Sequence, residues 1–202
     1  PSDVIVLIAV LFGTFSMQFF ESTRIIIDLL RLSPDVWRRG FLWQLSSYPF
    51  VGRGGPRIWI LLELFILYIF AKDVFARLGR RNFWHLVAWA IGAASVCAVI
   101  VELLAGSITG EAPFTLIQGQ RMLLVIVIAA FATLFGNATI YLFFVLPVQA
   151  RAFLWIEVLI AFLGFLGSRD LSGFVAVLVA VGLTYNILSR GSLRKLLREG
   201  YL

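Results

Sequence analysis

The residues of this chain whose types could do chemistry are the charged and nucleophilic side chains set inside apolar runs. Arg121 opens the run 119–135, Glu63 sits well inside the run 57–78, and Glu102, Glu157 and Asp170 border or enter others. A charge in hydrocarbon is costly, so each of these needs compensation. Arg121 has two readings: it snorkels from a helix end to the headgroups, or it pairs with an acid inside the protein. Glu63 also has two: a desolvated carboxyl that stays protonated, or a station on a proton or ion path. Asp170 follows Arg169 in a short, solvated connection, and Glu157 faces either the interior or a partner. The one histidine, His85, lies beside the basic Arg80 and Arg81. Ser46, Ser47 and Ser95 have no histidine or lysine at a known spacing, and a serine nucleophile needs a base in reach. Cys97, the single cysteine, excludes an intramolecular disulfide and a multi-cysteine metal site.

The elements that must position these residues are membrane spans. The 202 residues are 61% hydrophobic, with a mean hydropathy of +0.97, which leaves no room for a second, water-soluble domain. Six apolar runs of roughly the ~20 residues a spanning helix needs are found at 4–20, 57–78, 83–104, 119–135, 152–166 and 171–188. In lipid, backbone groups must pair internally, so such continuous runs span as helices. No alternating pattern supports a barrel. The first run lacks the flanks of a signal peptide and reads as a retained span. The small residues of Ala90–Ala98 suit close helix packing. The net charge of +6 fits basic loops against anionic headgroups rather than nucleic-acid binding. With six spans the termini's side receives nine basic residues, among them Lys72, Arg77, Arg80, Arg81 and Arg151, against eight on the other, and their concentration in short segments favours both termini in the cytoplasm.

The long connection from Glu21 to Pro56 is too apolar for an ordinary loop and too polar to cross. Trp37, Phe41 and Trp43 alternate in it with Arg38, Arg39 and Gln44, the composition of a segment lying in the headgroup plane. The tail 189–202 is short, basic and amphipathic, suited to the inner membrane face or a partner. The fold class that follows is all-α: a polytopic bundle of six spans with an interfacial first loop, as a single domain over 1–202.

Three stretches resemble the rhomboid superfamily, which includes intramembrane serine proteases and inactive, derlin-like proteins. LSPDVWRRGFLWQLSSYPFVG looks like its first loop, with Trp37, Phe41, Trp43, Gln44 and Tyr48 as landmarks. YIFAKDVFARLGRRNF is similar to the end of its second span and the Gly-x-x-Arg-Phe turn. LFGNATIYLFFVLPVQAR resembles the segment after its fourth span. The resemblance covers nearly the whole chain and rests on the order and spacing of these stretches together. It implies where protease chemistry would stand. The nucleophile position falls on Arg121, within Gly119–Met122, and the base position falls near Val175 in a span without histidine. The pair that would stabilise the oxyanion falls on Trp59 and Glu63. The serine–histidine chemistry is therefore absent.

A shared fold would bring the second and fourth spans together. The resemblance thus predicts a buried Glu63–Arg121 ion pair in the vacated site, whose breakage would cost roughly 3–5 kcal/mol. It implies a non-proteolytic protein of the bacterial inner membrane that binds transmembrane helices of other integral membrane proteins, as a subunit, assembly factor or chaperone. The expected surroundings are membrane lipids, without nucleic acid, cofactor or metal. The alternative is a small transporter or proton-handling protein built on Glu63, Arg121 and Glu157.

Overall fold

Long apolar runs fold as helices because a helix satisfies its backbone within one segment, and breaks come where a residue permits them. The computed structural model describes residues 2–33, 35–51, 59–109, 119–142 and 146–189. Its helices are α1 (Ser2–Met17), α2 (Arg24–Leu30), α3 (Asp35–Arg38), α4 (Gln44–Ser47), α5 (Trp59–Thr109), α6 (Gly119–Leu134), α7 (Ala152–Ser168) and α8 (Leu171–Ser189). Strands β1 (Thr139–Leu142) and β2 (Leu146–Gln149) stand between α6 and α7.

Unbroken, the 51 residues of α5 would reach about 77 Å at 1.5 Å per residue, over twice the thickness of hydrocarbon. Gly79 interrupts it with φ 76° and ψ 166°, a conformation glycine adopts without a Cβ penalty. Two helices result, 59–78 and 80–109. Asn82 Nδ2 donates to the Leu78 carbonyl at 3.0 Å, covering one of the acceptors orphaned at the first helix's end. Asp3 of α1 pairs with Arg80 at 2.6 Å and accepts from Trp84 Nε1 at 3.3 Å. The start of α1 and the Gly79 break therefore share one end of the bundle.

The core lies where α5, α6 and α8 meet. Ala90, Ala94 and Ala98 recur one turn apart and are buried, as are Ala130 of α6 and Ala176 and Ala180 of α8. Small side chains let helix backbones approach closely, which replaces the missing hydrophobic driving force in lipid. Leu67, Ala71, Val74 and Leu78 form the buried stripe of the first half of α5. In α6 nearly every residue from Met122 to Ala132 is buried, so this helix is enclosed on all sides.

Among the described residues, two helices are long and apolar enough to cross a membrane, Ile60–Ser107 and Leu171–Ser189. The bent pair Ser2–Met17 and Glu21–Leu30 makes a third if it counts as one span. Helices α6 and α7 are apolar but shorter.

The hairpin amends the all-α expectation. β1 and β2 pair antiparallel, Thr139 opposite Gln149 and Leu142 opposite Leu146. Arg151 donates to Asn137 Oδ1 at 2.7 Å and closes its base. The β-branched and aromatic Thr139, Ile140 and Tyr141 carry the strand preference, and Pro147 is tolerated because a two-stranded ladder is all edge.

The first loop also departs from a plain headgroup-plane segment. Phe41 and Trp43 stack at 4.5 Å, and Leu42 and Trp43 are exposed. Gln44 and Tyr48, by contrast, are each 1% exposed, and Trp37 packs on the core. Gln44 Oε1 accepts from the Ser33 amide at 3.0 Å and hydroxyl at 2.9 Å, and Gln44 Nε2 donates to the Leu29 carbonyl. Ser47 donates to the Leu30 carbonyl. Free carbonyls at the end of α2 have drawn these polar residues inward, because a buried acceptor must be satisfied. Residues 52–58 and the tail 190–202 lie outside the described residues.

Candidate functional site

Helices α6, α7 and α8 line a half-open cavity of about 110 Å³, and Arg121 and Glu157 are part of its wall. Arg121 stands in the first turn of α6, and its long side chain carries the charge away from its own backbone. Glu157 is 9% exposed and is the one buried residue of α7. The two charges are close enough for Arg121 to act electrostatically on the Glu157 carboxyl. They do not close a salt bridge: among the described residues the ion pairs are Arg31–Asp28, Arg39–Asp35 and Arg80–Asp3.

The far end of the cavity is built by the joint between α7 and α8. Arg169 adopts the left-handed conformation (φ 56°) and its amide donates to the Phe165 carbonyl at 2.7 Å, ending α7. Asp170 then caps α8. Its Oδ1 accepts from the Gly173 amide at 2.7 Å and the Ser172 hydroxyl at 2.9 Å. A Cβ at position 173 would crowd the Asp170 carboxylate and displace it from this capping position. Asp170 is half-buried and lines the cavity, which corrects its reading as a purely solvated residue.

The predicted Glu63–Arg121 pair is not formed. Arg121 faces the cavity beside α7 and α8, where the acid it meets is Glu157. Glu63 is half-buried on α5, does not line this cavity, and is engaged elsewhere. Val175 is half-buried on α8, but its neighbours Phe174 and Val177 line the cavity instead. Trp59 begins α5, and its side chain lies outside the described residues. Glu102 is buried in α5, away from the cavity lining.

The hydroxyls that could serve as nucleophiles are occupied locally. Ser46 donates to the Trp43 carbonyl, Ser47 to Leu30 and Ser95 to Gly92. His85 is exposed near the Gly79 break. What the cavity offers chemically is a guanidinium and a carboxyl group on one lining, able to meet groups of opposite charge. Sequence reading had left Glu157 open between interior and partner. The signal that could have decided it is that α7 has no other ionisable residue, so its one carboxylate marks the face that cannot meet lipid. Comparison with protein-family models, curated proteins and solved structures finds no match to this chain.

Proposed function

We propose that this chain is a non-proteolytic, rhomboid-like protein of six membrane spans that holds the transmembrane helix of another integral membrane protein. The six-span reading is supported by the break at Gly79, which divides the long α5 into two helices. Helices of 16 and 17 residues, such as α6 and α7, reach about 24–26 Å. That falls short of the ~30 Å hydrocarbon core by an amount that bilayer thinning or enclosure within protein absorbs. The contact of Asp3 with Arg80 and Trp84 supports an amino terminus on the side of the Arg77, Arg80 and Arg81 cluster. By the positive-inside bias that side is the cytoplasm, and a bacterial inner membrane is the proposed location.

The observation that carries the helix-holding role is the packing of α7. It rests on α6 and α8 through Glu157, Leu154 and Val158, and Phe153 meets Phe70 of α5 at 5.9 Å. Trp155, Leu159 and Leu163 of α7 remain exposed. A partner helix laid along α7 would cover this face, and the partner is proposed to be a membrane protein for which this chain is a subunit, assembly factor or chaperone. Photo-crosslinkers at Leu159 and Leu163, activated in native membranes, are expected to capture another protein's transmembrane segment. Adducts to lipid alone would overturn the reading, as would hydrolysis of a membrane-embedded substrate by purified protein.

A second reading, proton or ion handling, is favoured by a single observation: Glu157 is buried beside Arg121 at a cavity. A flux dependent on Glu157 in proteoliposomes, without a captured partner, would select it.

A further inference from the structure

We propose that the cavity between α6, α7 and α8 binds a zwitterion that carries a phosphate and an ammonium group, taken from the headgroup of a phospholipid such as phosphatidylethanolamine. Three features of the site lead there. The first is the unfinished electrostatics. Among the described residues, no hydrogen bond or ion pair reaches the Arg121 guanidinium or the Glu157 carboxylate, although Glu157 is only 9% exposed. Buried charges are ordinarily paired or hydrogen-bonded, since leaving one alone is costly. Here both side chains line one cavity of about 110 Å³, and no ion pair joins them.

The second feature is how that space is kept open. Gly164 faces it from α7, and a Cβ added there would meet nothing within 4 Å. A larger residue would fit sterically, so packing does not explain the opening. The third is the position of the mouth. Ile160, Gly164 and Ser168 line the cavity and are exposed on α7. In a spanning protein that surface is bathed in lipid. Phe165 and Phe174 supply apolar walls beyond the charges.

These features select the ligand by charge. Asp170, the third charge on the lining, is already engaged as the cap of α8, so a simple anion would satisfy Arg121 and leave Glu157 facing added negative charge. A simple cation would do the reverse. A zwitterion completes both, with phosphate oxygens accepting from the guanidinium fork and an ammonium donating to Glu157. The same chemistry could come from a small soluble zwitterion, and the mouth on the lipid-facing side favours the headgroup. The site does not depend on a partner helix, so it stands or falls separately from the helix-holding role.

Binding is tested by calorimetric titration of the detergent-purified chain with short-chain phosphatidylethanolamine, short-chain phosphatidylglycerol and free phosphoethanolamine. Phosphatidylethanolamine is expected to bind about tenfold or more tightly than phosphatidylglycerol, which lacks the ammonium. Glu157→Gln is expected to abolish that preference, Arg121→Gln to weaken both lipids, and Gly164→Leu to block both. The ratio between two lipids within one variant is insensitive to a general loss of stability. Free phosphoethanolamine binding as tightly as the lipid would support the site while assigning it a soluble zwitterion. Equal affinity for the two lipids in the unmodified protein, a preference that survives Glu157→Gln, or no binding at all would overturn the proposal and leave a water-filled void.

Discussion

Helices α6 and α7 are neighbours of almost equal length, 16 and 17 residues, and α7 is the more apolar. Yet α6 buries nearly every residue from Met122 to Ala132, whereas α7 buries Glu157. The contrast shows that apolarity does not predict burial in this protein. In water, the more apolar helix would be expected inside. In lipid both environments are apolar, so the helix with alanines that admit close neighbours takes the centre, and the bulkier one is left at the rim. On such a rim helix the rare charge, not the apolar stripe, identifies the inner face.

The contrast can be broken or sharpened by substitution, with stability read from denaturant unfolding in detergent. The largest effect is expected from Ala129→Leu in α6, a fully buried site with no space for added methyl groups. It should lose about 3 kcal/mol. A loss equal to that of a comparable change on α7 would remove the distinction between the two helices. Next comes Gln44→Ala, in the loop whose following turn, Tyr48–Phe50, packs on α6. Removing its amide strands the Ser33 donors, while the Leu29 carbonyl keeps Trp43 Nε1, a loss of about 2 kcal/mol. A silent Gln44→Ala would mean the loop is not part of the enclosure around α6.

Tyr48→Phe should act in the opposite sense. The Tyr48 hydroxyl is buried without a hydrogen-bond partner among the described residues, so its removal is expected to be neutral or to stabilise by about 1 kcal/mol. Burial pushes the phenol's pKa up from its ordinary value. Its contribution is therefore intact below the unfolded value of about 10 and is lost as pH rises above it, because the unfolded phenol ionises first. Melting curves from pH 9 to 11 should fall less steeply for Tyr48→Phe, and identical slopes would refute burial of the ring. The smallest effect, within about 0.5 kcal/mol, is expected for Leu159→Ala on the exposed face of α7.

Much of the helical plan was legible because one signal governs it. Helices start at Gly119, Ala152 and Leu171, the first residues of three predicted runs, since an apolar run bounded by polar or glycine residues has few alternatives. The break at Gly79 was legible as the gap between the runs 57–78 and 83–104. The hairpin at Thr139–Gln149 was not, because its strands are short and its aromatic residues resemble more of the preceding helix. In the first loop the alternation of aromatic and polar residues was visible, but not that Gln44 would be drawn inward by the end of α2.

The amino-acid sequence by itself determined that this chain forms apolar helices and that a few charges must lie where charges are costly. Each follows from local composition and from the solvation cost of a backbone or a charge. The tertiary structure alone decided which charges face each other. A cation at the start of α6 can reach an acid on any adjoining helix, and the choice of Glu157 over Glu63 depends on how those helices pack and turn, which no local pattern encodes.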